Sequence, residues 1–376
     1  MKLREGRIVD NRIIVTYGEN VRKIVRDVLE KADFNGMIPS NSNIGIKPNL
    51  VVSKPSSSGA TTSPEMVSAL IEYLKEHGHN NIVILESSWL GDSTTRAFKV
   101  CGYEDVSQKY GVPLFDIKKD TYSVRTYKGT DIAVSDKVLG LDFLINMPVL
   151  KGHCQTYITC ALKNLKGCIP DREKRRFHTM GLHRPIAYLN KIIKSDFILV
   201  DGLCGDLDFE EGGNPVKMNR IICGTDPVLI DSYVAAVMGY KPEDIEYIKT
   251  AAEIGVGSCD IKNAEVIVID KDTSLAAPPA SRKVQQLAEY IDEKEACSAC
   301  YGNLIQALAR LNEKGLLKGF KKKSIKIGQG YKDCNLDGIG VGICTSGLGR
   351  NVKGCPPSTG EILEFLKNTG VGSKDK

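Results

Sequence analysis

The 376-residue sequence contains no apolar run of the roughly 18 to 20 residues that a membrane-spanning helix needs. Its opening residues, MKLREGRIVDN, lack the apolar stretch of a secretory signal. Both absences point to a soluble, cytoplasmic protein. Neither GxGxxG nor GxxxxGK[ST] occurs where a strand would run into a helix, so neither familiar nucleotide-binding turn is indicated. Internal repeats and low-complexity tracts are missing too. There is no large excess of one charge: 26% of residues are charged and the net charge is +5. That mildly basic, well-mixed balance supports neither a nucleic-acid-binding tail nor a membrane-surface stripe. Small anions are the expected partners.

What is present is an alternation of strand and helix patterns. RIIVTYG (12–18), NIGIKPNLVV (43–52), NIVILESS (81–88), LDFLINMPVL (141–150), DFILVDGL (196–203) and NRIICGTDP (219–227) read as buried strands. VRKIVRDVLEKA, SPEMVSALIEYLKEHG and PVLIDSYVAAVMG carry apolar residues at helical spacing between them. Such alternation predicts an α/β fold, a mainly parallel, Rossmann-like sheet flanked by helices. The chain is long enough for two domains. After a last strand in AEVIVID, a run of Ala, Pro and Ser marks a junction near 271–282. It separates an α/β domain, 1–275, from a smaller Cys-rich α+β region, 283–376. In that region the sequence predicts helix from about residue 284 to 315, one strand in KKKSIKIGQG, a Gly-rich loop over 331–360 and a terminal helix, GEILEFLKN.

Twelve cysteines in a reducing compartment do not make a disulfide framework. Cys297 and Cys300, in CSACYGNL, are three residues apart, which on a helical turn puts both sulfurs on one side. Cys334, Cys344 and Cys355 follow in a Gly-dense stretch that would let backbone fold closely around a cluster. Cys355 precedes Pro356 and Pro357, similar to the Cys-Pro ending of iron-sulfur ligand runs. Four thiolates from Cys297, Cys300, Cys344 and Cys355 would serve a 4Fe-4S cubane, with Cys334 a substitute. Zinc is the rival, but its usual signature is two tight CxxC knuckles, and here there is one. Reduced, unliganded thiols are the third alternative. Cys101, Cys204, Cys223 and Cys259 are read as core, and the widely spaced Cys154, Cys160 and Cys168 as packing.

The densest polar segment is NMPVLKGHCQTYITCALKNLKGCIPDREKRRFH, 146–178. Lys151 and His153 fall just beyond a buried strand, at the end where open α/β sheets hold their ligands. TYITCALKNLKG reads as a short helix carrying Lys163 and Asn164, and IPDREKRRFH as a loop carrying Arg176 and His178. Lysine and arginine suit carboxylate or phosphate, and histidine can move a proton near neutral pH. The run REKRR also reads simply as a solvated basic loop. Lys47 and Asn49, in IKPNLV, stand at another strand end. Glu86 and Asp201 supply carboxylates at two more, where either could hold a lysine or a metal. Ser63 before Pro64 is either a helix cap or part of an anion-attracting helix start. Glu210-Glu211 before two glycines reads as an exposed turn, and Asp226 as a helix cap. Glu211 and Asp226 stay as lesser candidates.

IKPNLV, SGATTSPEMVSALIEYLKEHG, ILESS, NMPVLKGH, TCALKNLKGCIPDREKRRFH, LVDGL with EGGNPV, and CGTDPVLIDSYVAAVMG together resemble the family known as domain of unknown function 362, over roughly residues 40–257. The resemblance implies an α/β protein in a group often joined to iron-sulfur modules, with no settled substrate. The tail departs from the family's common ferredoxin-like run, because no CxxCxxCxxxCP occurs; it offers CSAC, GVGIC and GCPP instead.

Two classes of function follow. In one, the protein is an iron-sulfur-dependent oxidoreductase or lyase acting on a small anionic metabolite: Lys151, His153 and His178 are catalytic, and Lys47, Asn49, Lys163, Asn164, Arg176, Glu86 and Asp201 surround the substrate. In the other it is a non-catalytic iron-sulfur electron carrier or redox sensor with a redox partner protein; a zinc-stabilised binding module is the remaining alternative. Neither class calls for nucleic acid or a membrane, and a homodimer is compatible with both.

Overall fold

A computed structural model describes residues 10–270 and 283–370 of the chain. The junction expected near 271–282 lies outside them. Of the described residues, those up to Lys174 and from His183 to 270 form one compact unit, and Arg175–Leu182 with 283–370 form a second. The first unit is therefore interrupted in sequence.

The strands of the first unit are β1 (Arg12–Tyr17), β2 (Ile44–Pro48), β3 (Ile82–Glu86), β4 (Leu114–Asp116), β5 (Tyr122–Tyr127), β6 (Thr130–Ser135), β7 (Phe143–Met147), β8 (Lys151–His153), β9 (Tyr157–Thr159), β10 (Phe197–Asp206), β11 (Pro215–Gly224) and β12 (Glu265–Val268). Eight of them form one sheet in the order β12-β1-β11-β10-β7-β2-β3-β4. From β10 through β7, β2 and β3 to β4 every pairing is parallel. Strand β11 runs antiparallel to both β10 and β1, because the connection from β10 is only a short loop and cannot carry the crossover that a parallel neighbour requires. The mainly parallel α/β expectation holds, with β11 as its exception. β5 with β6 and β8 with β9 form two separate hairpins.

IGIKP, IVILE and FLINM are buried along their whole length, as strands covered by helices on both faces must be. Helix Val21–Lys31 presents Ile24, Val25, Val28 and Leu29 to this core, and helix Pro64–Glu76 presents Met66, Val67, Leu70, Ile71 and Leu74. Phe34 joins the layers, its ring centroid 4.5 Å from that of Phe197 and 6.0 Å from that of Phe143. Ser63 caps its helix by accepting from Met66 N. Residues 171–179 are helical rather than the expected loop. Asp171 and Glu173 lie in the first turn and Arg176 and His178 in the last, complementing the helix dipole, and the run of charges hides the periodicity.

In the second unit β13 (Ile291–Glu293), β14 (Ile325–Ile327), β15 (Leu336–Val341) and β16 (Leu348–Val352) form an all-parallel sheet in that order. Helices Lys283–Ala288, Ser298–Glu313 and Thr359–Gly370 accompany it, so the helix expected over about 284–315 is two helices with β13 between them. The stretch expected as Gly-rich loop thus holds two strands. Its glycines supply no side-chain alternation from which a strand could be read. Cys101 and Cys223 are core as expected, whereas Cys204 and Cys259 are only half-buried. No described helix is long and apolar enough to cross a membrane.

Asp226 precedes helix Pro227–Val237, and its Oδ1 accepts from Val228 N at 2.8 Å and Leu229 N at 3.0 Å while Oδ2 accepts from Ser258 N at 2.8 Å. It is a buried brace as well as a cap. Asp226→Ala strands three amides and is expected to lower stability by about 2 kcal/mol, read as a reduced urea midpoint; an unchanged midpoint would contradict that role.

Candidate functional site

The parallel strands deliver polar side chains at their carboxyl ends, as open α/β sheets do. Lys47 lies near the end of β2, Glu86 ends β3 and Asn146 lies near the end of β7, all three buried. Lys47 Nζ donates to Glu86 Oε2 at 2.8 Å, Pro48 O at 2.9 Å and Asn164 Oδ1 at 3.5 Å. Glu86 also accepts from Leu50 N at 2.9 Å and Ser87 N at 2.7 Å. It holds a lysine, one of the two roles expected of it. A side chain at Gly167 would overlap Glu86 and the tip of Lys47, which is why the LKNLKG segment ends in glycine where it passes over the pair.

Three asparagines carry the network onward. Asn164 Nδ2 donates to Asn146 Oδ1 at 2.8 Å, and Asn164 Oδ1 accepts from Asn49 Nδ2 at 3.0 Å. Asn49 Oδ1 accepts from Lys151 Nζ at 3.1 Å. Lys151 is fully buried on β8 and also donates to Ala60 O at 2.5 Å and Glu210 O at 2.9 Å, so each ammonium proton has an acceptor. Burial lowers its pKa to about 8, against the pull of Glu210. Lys151 is cationic at neutral pH and close to releasing a proton.

Beside it, Lys163 Nζ donates to Glu210 Oε1, and Glu210 Oε2 lies 3.0 Å from His153 Nε2. His153 Nδ1 accepts from two backbone amides, Gln155 N at 3.0 Å and Thr156 N at 3.1 Å. Two donors on Nδ1 leave the ring proton on Nε2. That proton is not aligned on Glu210 despite the short separation, so a buried N–H is left without a well-directed acceptor. Burial, helped by the Lys163 charge, pushes the His153 pKa down to about 4. His153 is thus a neutral hydrogen-bond donor at neutral pH, not the proton carrier that histidine suggests in isolation.

Glu210 is the member of this buried cluster that sequence reasoning missed. The glycines after it suggested an exposed turn, yet its side chain is only 12% exposed. Lys163, His153 and Lys151 hold its pKa well below the usual carboxylate range despite burial. Glu211 moves the other way, up to about 7, through burial and the adjacent Glu210 charge. The lysines at 151 and 163 were the available hint, since buried ammonium groups need acceptors and a nearby carboxylate is a strong one.

Asp201 accepts from Ser63 N at 2.7 Å and Leu203 N at 2.9 Å and braces backbone, with its pKa raised to about 6 by burial. Arg176 and His178 fall in the segment assigned to the second unit. Lys174 is an addition: its buried ammonium donates to Ser87 Oγ, to Ser87 O at 3.1 Å and to Ser88 O at 2.7 Å. Cys160 and Cys168 are fully buried, and burial raises both thiols. They pack, as the spacing suggested.

In the second unit, Cys297 is the N-cap of helix Ser298–Glu313 and Cys300 lies in its first turn. Cys344 lies in the turn Ile343–Thr345, and Cys355 follows β16. Burial and the neighbouring Cys297, Cys355 and Cys344 together raise the Cys300 thiol to about 12, so the four share one neighbourhood. Gly342 lies beside Cys300, and its φ of +92° is a conformation that favours glycine. Cys334 Sγ lies instead near Gly330 O, at 3.9 Å. The donor set suits a soft cation or an iron-sulfur cluster. Among the described residues, no three His, Cys, Asp or Glu side chains converge closely enough to hold a metal ion without movement.

The family described as domain of unknown function (DUF362) matches residues 44–236, the span that carries every member of the Lys47–Glu210 network. A thylakoid-associated protein of Synechocystis sp. is 23% identical over 249 residues, covering 62% of this chain and 74% of that protein. The lactate racemase apoprotein from Thermoanaerobacterium thermosaccharolyticum aligns at 14% identity with a TM-score of 0.40, over 62% of this chain. The chain spans 59% of that protein's length.

The depressed His153 pKa makes stability depend on pH. Between about 4 and 6.5 the unfolded chain binds this proton and the folded chain does not, so the contribution is whole above pH 6.5 and is lost as pH falls toward 4. The loss is at most about 3 kcal/mol. Thermal denaturation of native protein and His153→Gln across this window should show the native Tm falling more steeply on acidification; parallel profiles would contradict a buried neutral imidazole.

Proposed function

We propose that this chain, which belongs to the DUF362 family, is an enzyme that binds a small carboxylate or phosphate anion at Lys163, Lys151 and His153 and moves a proton there. The observation that carries this reading is the His153 Nε2–H, buried, fixed by two amides on the opposite nitrogen, and left without an aligned acceptor beside an anion already held by Lys163. A neutral donor and two cations fixed in place stabilise negative charge on a substrate oxygen without reorganising. Lys151, near 8, and Glu211, near 7, hold protons that exchange close to neutral pH, which suits general acid and base roles. Lys47, Glu86, Asn49 and Asn164 position Lys151 through the buried network.

The second unit is proposed to hold an iron-sulfur cluster, 4Fe-4S in type, on Cys297, Cys300, Cys344 and Cys355. Support comes from the shared neighbourhood of the four thiols, whose charges act together on Cys300. Such a cluster would supply electron transfer or Lewis acidity. Zinc is the alternative occupant of the same four sulfurs.

Binding of acetate and of inorganic phosphate, followed by NMR titration, tests the anion site. Lys163→Ala should weaken binding at least about tenfold, the loss expected for one charge-assisted contact; an unchanged affinity would sink the assignment. Anaerobic purification should yield about four iron and four sulfide per chain, falling sharply in Cys300→Ser. Iron-free protein from anaerobic preparation with zinc bound would instead assign the thiols to zinc.

A further inference from the structure

We infer that the carboxylate of Glu210 sits in the seat of the substrate's own carboxylate, and that residues 207–214 form a strap which a small carboxylate displaces on binding. This rests on Lys163 and His153 being the anion-binding groups.

The seat has the form of a carboxylate site. Lys163 addresses Oε1 and His153 Nε2 stands 3.0 Å from Oε2, one donor to each oxygen of a planar monoanion. A phosphate has more oxygens and more charge than these two donors match. The misaligned His153 N–H shows that Glu210 fills the place without satisfying it. An anion free of the chain can take the orientation that a tethered one cannot.

The strap is fixed at its base and held by charge at its tip. Asp206, fully buried at the end of β10, accepts from Asp208 N at 2.9 Å, Phe209 N at 2.8 Å and Asn214 N at 2.8 Å, pinning both limbs. Backbone closeness keeps the base in place as well, since a side chain at Gly152 would overlap Leu207 O. At the tip, Glu210 O accepts from Lys151 and Glu211 O accepts from Lys54 Nζ at 2.7 Å. Gly212 (φ +71°) and Gly213 (φ +143°) follow directly, in conformations that other residues rarely adopt. Gly213 has open space around it, so the tip has a pivot. Lys163 is nearly inaccessible while Glu210 is seated. Displacing the strap would exchange one carboxylate for another at little electrostatic cost and open the seat only when an anion is there to fill it.

A tethered carboxylate competes with a free one at an effective concentration of millimolar or more. Glu210→Gln keeps the shape and removes the competitor. In the full chain, this variant should bind acetate and glycolate at least about tenfold more tightly than native protein, and gain less for inorganic phosphate. In native protein, saturating acetate should speed hydrogen exchange of the amides in 207–214; this second measurement decides if the variant does not fold. If acetate binds native protein through Lys163, but Glu210→Gln binds no tighter and strap exchange is unchanged, the strap assignment is overturned while the anion site stands. Equal gains for phosphate and acetate would overturn the carboxylate preference. If neither protein binds any of the three anions, the anion site is absent and the strap assignment falls with it.

Discussion

Two ammonium groups, those of Lys47 and Lys151, are buried without measurable exposure, and much of the first unit's central architecture follows from holding them there. A charge removed from water is tolerated only when it is paired and hydrogen-bonded. Lys47 has Glu86 and a backbone carbonyl; Lys151 has two carbonyls and Asn49. Those acceptors come from β2, β3, the segment after β2, the Lys163–Asn164 turn and the strap after β10, so the network ties together elements far apart in sequence. Removing one partner would leave an uncompensated charge, at a cost of about 3–5 kcal/mol. The close approach of Gly167 and Gly152 to their neighbours has the same origin: only backbone without a side chain can lie against groups so tightly enclosed.

The enclosure sets the chemistry. Neighbouring groups are driven in opposite directions, Glu210 down and Glu211 up, because the first faces three nitrogen groups and the second faces the first. Lys151 and His153 are both driven down by burial, but with different results at neutral pH: one remains a cation, the other becomes a neutral donor. Burial thus leaves adjacent residues in different protonation states near pH 7. The two amides on His153 Nδ1 matter as much as the charges, since they fix which ring nitrogen faces the anion.

Much of this was legible in the sequence. The strands with continuous apolar runs, β2, β3 and β7, lie inside the segments that hydrophobic pattern assigns to them, because a doubly covered strand has a strong signature. Once strand ends are located, Lys47, Glu86, Lys151 and His153 follow as candidates, and Asn49, Lys163 and Asn164 join them from adjacent segments. What could not be read was pairing. That Glu210 reaches Lys163 and His153 depends on where the β10–β11 loop lands, and the local pattern of two acids before two glycines resembles any solvent turn. Likewise β15 and β16 are Gly-interrupted strands whose pairing is set by their neighbours, not by their own periodicity. Nor could the sequence show that the segment holding Arg176 and His178 groups with the second unit.

His153 is a neutral, Nε2-protonated donor facing the Glu210 carboxylate. Nitrogen-15 NMR of histidine-labelled protein tests it directly, because the chain has only five histidines and the two ring nitrogens report their protonation separately. One imidazole, identified by its loss in His153→Gln, should keep a protonated Nε2 and an unprotonated Nδ1 from pH 5 to pH 8. A His153 ring that titrates near its ordinary pKa, or carries its proton on Nδ1, would contradict the account.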